Sequence, residues 1–188
     1  MTVLPQWDAQ RRVLGIIRPT AEVIGSLTES RHVGVLATEG TIKSDSYRME
    51  IQKLHPDISV TGVACPLWVP LVEYNEVSSP GADYFVEKNI RQLMQADPLI
   101  DAAILACTHY PLLLEKIRRY MPPTVQVIAQ GGYVARSLGQ YLQRHPDMEQ
   151  RCSRGATMTY LTTEDATRFA EQAQRFLNTP VTARTIVL

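Results

Sequence analysis

Short apolar runs alternate with longer stretches of helical period along nearly the whole chain, and this alternation predicts a parallel sheet with crossover helices. The fold class it implies is α/β. Residues 13–17, 33–37, 58–63, 104–106, 125–128 and 156–161 read as strands, with residues 185–188 as a terminal one. Between them, Pro19 opens a helix that turns Ala21, Ile24 and Leu27 inward, and residues 44–54 place Tyr47, Ile51 and Leu54 on one face. Val86, Ile90, Leu93 and Met94 stripe a helix over 83–95. Leu113, Ile117 and Met121 line the next, and Val134, Leu138, Tyr141 and Leu142 another. The last helix carries Ala166, Phe169, Ala170, Ala173, Phe176 and Leu177, with Thr162 and Asp165 spaced like a capping box. Only residues 64–81 break the rhythm. Their three prolines, Pro66, Pro70 and Pro80, predict a long ordered loop.

Charge and cysteine usage narrow the classes of function. Lys plus Arg equals Asp plus Glu at 19 each, so no long-range field draws the chain to nucleic acid or to an anionic membrane surface. No apolar run reaches the roughly 20 residues of a membrane helix, and residues 1–12 have no secretory pattern, so a cytoplasmic protein is expected. Cys65, Cys107 and Cys152 are too widely spaced for a disulfide framework or a zinc site and read as free thiols.

Chemistry concentrates where the apolar run 103–106 delivers Cys107, Thr108 and His109 to a strand-to-helix turn, with Pro111 suited to the helix's first position. Amides at a helix start and a protonated imidazole both favour thiolate over thiol. A strand's carboxyl end in an open α/β sheet is also where ligands bind. His109 read by itself is a helix-capping histidine; beside Cys107 it is a candidate acid, base or electrostatic partner. Cys65 and Cys152 read as structural, and His32, His55 and His145 as surface residues. Glu73 ends the run from Trp68, either marking the chain's return to solvent or held over a pocket. The turn from Thr38 to Thr41 offers amides and hydroxyls suited to a carboxylate, a pattern common to many turns. Cys-Thr-His by itself names no reaction.

Three segments taken together resemble glutamate racemase, of the cofactor-independent aspartate/glutamate racemase superfamily: Ile104-Leu-Ala-Cys-Thr-His-Tyr-Pro-Leu-Leu113, Ala64-Cys-Pro-Leu-Trp-Val-Pro-Leu-Val-Glu73, and Val33-Gly-Val-Leu-Ala-Thr-Glu-Gly-Thr41 with Ser44 and Tyr47 behind it. Gly15-Ile-Ile-Arg-Pro19 is similar to the segment leading into that family's second domain. The resemblance implies a two-lobed parallel-sheet racemase fold and a two-base reaction without metal or pyridoxal phosphate. One cysteine removes the α-proton of glutamate from one face and a second returns a proton to the other, because a single base would mostly restore the starting hand. On this resemblance Cys107, His109 and Glu73 are catalytic, Thr108 and His109 contact substrate, and Thr38, Thr41 and Ser44 line the region of the substrate carboxylate. It further implies D-glutamate supply for peptidoglycan.

The family's Asp-Ser-Gly motif and its Cys-Asn-Thr-Ala motif, which bears the partner cysteine, lie upstream of the Arg-Pro segment, and residues 1–12 hold neither. The expected layout is therefore an amino-terminal remnant over 1–12, a complete second lobe with the catalytic cysteine over 13–123, and the carboxyl-terminal part of a partial first lobe over 124–188. A racemase truncated in this way would be impaired. Open sheet edges would then favour a homodimer. Two alternatives stand beside it: a non-catalytic module that binds an acidic amino acid or a partner, and an aspartate racemase. Gln130 stands where relatives commonly have an aspartate.

Overall fold

The computed structural model describes Gln6 and residues 13–188, and the expected 1–12 remnant falls almost wholly outside that range. Four parallel strands make the main sheet: β1 (His32–Ala37), β2 (Ser59–Ala64), β3 (Ala102–Leu105) and β4 (Gln126–Ala129), in the order β2-β1-β3-β4. The strand order reverses direction beside β1. Around the sheet run α1 (Ile17–Val23), α2 (Glu39–Ser44), α3 (Ser46–Leu54), α4 (Trp68–Glu73), α5 (Pro80–Ala96), α6 (Leu114–Tyr120), α7 (Gly131–Arg144) and α8 (Pro146–Gln150). A second, two-stranded parallel sheet pairs β5 (Tyr160–Thr162) with β6 (Ala183–Thr185), joined by α9 (Ala166–Leu177).

Alternation along the strands fills two cores. Leu36, Val63, Ala103 and Leu105 meet Trp68 and Val72 of α4 and Val86, Ile90 and Leu93 of α5. On the other face Val33, Val35, Val60, Ala102 and Ile104 meet Ala21, Ile24, Tyr47 and Ile51 of the α1 and α3 side. Gly34 lets the first layer close, because a Cβ there would lie 2.7 Å from Leu93 Cδ2.

Several expectations are corrected. Residues 13–17 form no strand; Val13, Leu14 and Ile16 are exposed, and α1 begins at Ile17 with Pro19 in its first turn. An apolar run this short fits either element, and a strand needs a partner. Residues 64–81 hold a helix, since Pro70 occupies the third position of α4, where no intrahelical amide is required. The helix expected over 44–54 is split at Asp45, whose φ of 53° ends α2 before α3 starts. Ala156 has φ 46°, incompatible with strand, so β5 starts only at Tyr160, where β6 supplies its partner. The terminal pairing correspondingly ends at Thr185. Asp165, not Thr162, caps α9, accepting from the Arg168 amide at 2.7 Å. Finally, the division expected after residue 123 falls inside the main sheet, because β4 pairs with β3 from Ala102↔Gln126 to Leu105↔Ala129.

The amino edge of the sheet is tied by two carboxylates. Asp97 takes His32 Nδ1 at 2.8 Å, so His32 is a half-buried partner rather than a free surface residue. His55 packs on Gly25, and His145 stacks on Tyr141 at 4.1 Å, so neither is simply on the surface. Asp101 accepts from Thr28 Oγ1 and from the amides of Glu29 and Ser30, both at 2.7 Å. Burial works against the charge on Asp101, but these hydrogen bonds outweigh it and hold the carboxyl below the usual range. A depressed folded value stabilises the protein above the unfolded value of about 3.9, and that contribution disappears as pH falls through the folded value. Asp101→Asn is therefore expected to lower stability at pH 7 and to flatten the loss of stability between about pH 5 and pH 2, as read by denaturant midpoints across that range.

Candidate active site

The register of the main sheet decides which side chains meet. Leu36 is level with Val63 on one side and Leu105 on the other, so Cys65, Thr38 and Cys107 are level where the chain leaves the carboxyl edge. The amides of Cys65 and Ala106 hydrogen-bond to Ala37 O and Leu36 O, both at 2.8 Å, which carries the pairing past the strand ends.

Past β3 the chain turns through Thr108 and His109 into a single 3-10 turn, Tyr110–Leu113, before α6. Pro111 lies in that turn, so the helix start expected beside the thiol is shorter than an α-helix. The group set against the thiol is instead the imidazole: Cys107 Sγ and His109 Nδ1 are 3.9 Å apart. Thr108 Oγ1 is 3.4 Å from the same nitrogen. On the other side of the ring, His109 Nε2 meets Glu73 Oε1 at 2.5 Å. A carboxylate can only accept, so this contact puts the ring proton on Nε2 and leaves Nδ1 free to take a proton from the thiol. Glu73 is the last residue of α4, held there by the packing of Trp68 and Val72. Glu73 also lines a cavity of about 170 Å³ with Leu112, Gln172 and Phe176. Cys107, His109 and Glu73 thus form one connected relay.

A relay of this kind fits many enzymes, and the sequence model of one family discriminates among them. That model, the Asp/Glu/Hydantoin racemase family, matches residues 10–138. The chain belongs to this racemase family. A glutamate racemase from Shouchella clausii is 39% identical over 166 residues, 88% of this chain and 59% of the relative. One from Exiguobacterium sibiricum is 34% identical over 176 residues, 94% of this chain and 64% of the relative. A crystal structure of a glutamate racemase isoform from Bacillus anthracis superposes with a TM-score of 0.85 at 27% identity, over 97% of this chain and 67% of that one. The chain therefore spans about three fifths of the length of these curated relatives.

Within this racemase-family chain the remaining candidates separate into two groups. Thr38 caps α2 and its Oγ1 lies 3.0 Å from Thr41 Oγ1, so the two hydroxyls form one patch, which begins at the strand end level with Cys107. Ser44 is turned away, donating to Thr41 O at 2.9 Å and paired with Ser46 Oγ at 2.8 Å. Cys65 lies at the edge but is fully buried, and burial pushes its thiol well above the usual range. Cys152 is exposed just past α8, remote from the relay in sequence and bonded to Met148 O. Among the described residues no group of three or more His, Cys, Asp or Glu is placed to hold a metal ion.

Gln130, Gln172 and Phe176 are the residues that sequence reasoning did not assign to the site. Gln130 Oε1 accepts from Thr20 Oγ1 and Tyr47 OH, each at 3.0 Å, while its Nε2 donates to Leu105 O at 3.0 Å. An aspartate at this position could accept both hydroxyls but could not donate to the carbonyl. Gln172 and Phe176 reach the relay from α9, and their signal was Gln172 interrupting an apolar stripe between Phe169 and Phe176. The hub at Gln130 sets a measurable cost. Gln130→Ala leaves two hydroxyls, one of them on fully buried Thr20, without their acceptor, and should destabilise by about 2–4 kcal/mol, against about 1 kcal/mol for Tyr47→Phe, in denaturant unfolding.

Proposed function

We propose that this chain carries the Cys107 half of a glutamate racemase site, interconverting L- and D-glutamate by proton transfer at the α-carbon. The observation that carries the reading is the relay from Glu73 through His109 to Cys107, in a chain whose similar relatives are glutamate racemases. Those relatives favour glutamate over aspartate. In this reading His109 Nδ1 accepts the thiol proton, and the imidazolium, held by Glu73, stabilises the thiolate. The thiolate then removes the α-proton from one face of the substrate. Thr108 and His109 contact the substrate. Thr38 and Thr41 receive its carboxylate, whereas Ser44, its hydroxyl committed to Thr41 O and Ser46 Oγ, makes no contact with it. Inversion needs a second donor on the opposite face. Among the described residues Cys65 is buried, and Cys152 is exposed with its thiol on Met148 O, so proton exchange is the activity assigned to this half-site. D-Glutamate formed by a complete site with both thiols would serve peptidoglycan synthesis in the cytoplasm.

α-Proton exchange of glutamate in deuterated water, followed separately from optical rotation, tests this directly. Exchange is expected, and Cys107→Ala should reduce it by about 10²-fold or more. Exchange that survives Cys107→Ala would refute the reading. Because one thiol adjoins the relay, a binding module without turnover is the second reading, and it is favoured if glutamate protects Cys107 from alkylation while no exchange occurs.

We further infer that the chain self-associates as a homodimer. Val13, Leu14, Ile16 and Leu138 are exposed and line an apolar groove of about 400 Å³ between α1 and α7. Sedimentation velocity should give a dimer that Leu138→Glu shifts toward monomer, and a monomer at high concentration would contradict it.

A further inference from the structure

We infer that Gln172 and Phe176 of α9 are positioning residues for the Cys107–His109 pair, an inference that rests on reading Cys107 as the proton-transferring thiol. Gln172 Nε2 donates to Glu73 Oε2 at 2.5 Å, while the opposite oxygen of that carboxylate holds His109. Phe176, one helical turn further along the same face, meets the His109 ring edge to face at 5.2 Å and 89°. Two side chains of one helix thus contact both members of the relay behind the thiol.

The origin of α9 makes these contacts informative. It is carried by β5 and β6, a sheet that shares no ladder with the strand that delivers Cys107. Among the described residues, Gln172 to Glu73 is the one side-chain hydrogen bond from the β5–α9–β6 unit to the β1–β4 unit. The remaining packing there is apolar, with Phe176 against the core that holds Trp68 and Leu113. Glu73 and His109 are both about a quarter exposed, with side-chain values of 31% and 23%, so neither is locked by burial alone. Without the Gln172 donor, the carboxylate is free to rotate its second oxygen toward solvent or toward the ring. The ring proton would then no longer be confined to Nε2, and Nδ1 would no longer be held as the acceptor facing Sγ. Phe176 limits the same loss by blocking ring rotation.

Alkylation of Cys107 by iodoacetamide, resolved from Cys152 by peptide mass mapping, tests the inference with no substrate and no turnover. Gln172→Met keeps length and packing but removes the donor, and Phe176→Leu keeps an apolar contact but removes the ring. Each is expected to slow Cys107 alkylation at pH 7 by about threefold or more, with the difference closing at pH 10, above the ordinary range of a free thiol, where ionisation no longer depends on a neighbouring base. Phe176→Tyr should restore the unsubstituted rate. Glu73→Gln should slow alkylation similarly and combine with Gln172→Met less than additively, because both act through one carboxylate. Unchanged rates at pH 7 in folded variants, judged by circular dichroism and melting temperature, would overturn the inference. So would a slowing that persists at pH 10, the mark of altered access, or full additivity with Glu73→Gln. Failure of glutamate exchange in the unsubstituted chain tells against the racemase reading instead, and leaves the alkylation profile interpretable.

Discussion

The pairing of β1 with a strand on each side is the constraint from which the rest of the structure follows. Because β2, β1 and β3 are parallel and in matched register, their carboxyl ends finish level, and each hands the chain to a loop at the same edge. Parallel strands need crossovers, and the crossover helices must cover both faces, so the two cores and the edge have a common cause. A shift of one residue in β3 would turn Leu105 and Ile104 to the wrong cores. It would also remove Cys107 from the level of Thr38. The arrangement of Cys107 and Thr38 at this edge is thus underwritten by apolar packing well away from it.

The relay shows how weakly buried groups can still be ordered. Glu73 and His109 are each partly open to water, where an isolated ion pair contributes little. What makes the pair useful is directional. A carboxylate that accepts at Nε2 settles which imidazole nitrogen faces the thiol, and the thiol's chemistry depends on that choice. The Gln130 hub serves the other side of β3 by a neutral route. An amide both donates and accepts, so it satisfies Leu105 O, Thr20 and Tyr47 without bringing a charge near the buried strand.

The parallel α/β architecture, the strands ending near residues 37, 64 and 105, and the helices striped by Ile51, Leu93 and Ile117 were all legible in the sequence. Hydrophobic period is a local property, and those segments bury what their period indicates. The misread elements failed for identifiable reasons. Residues 13–17 are apolar enough for a strand but have no strand beside them, and Pro70, a helix breaker by its type, lies in a first turn, where a proline breaks nothing. At Asp45 and Ala156 positive φ angles interrupt elements, and while aspartate adopts this region more readily than most residues, alanine gives no such warning. Cys107, His109 and Glu73 were legible as a set only through the resemblance of whole segments, because nothing in the chain marks that Glu73 and His109, 36 positions apart, meet.

By itself the sequence determined the parallel α/β class, the position of the Cys-Thr-His turn at a strand end, and membership in a racemase family, since each is written in local period or contiguous motif. Only the tertiary structure decided that Glu73 faces His109, that Gln130 binds three partners on different elements, and that α9 lies against the relay through Gln172 and Phe176. These contacts join residues 25 to 110 positions apart. Distances of that kind are set by sheet register and helix packing, which no stretch of chain specifies before the whole has folded.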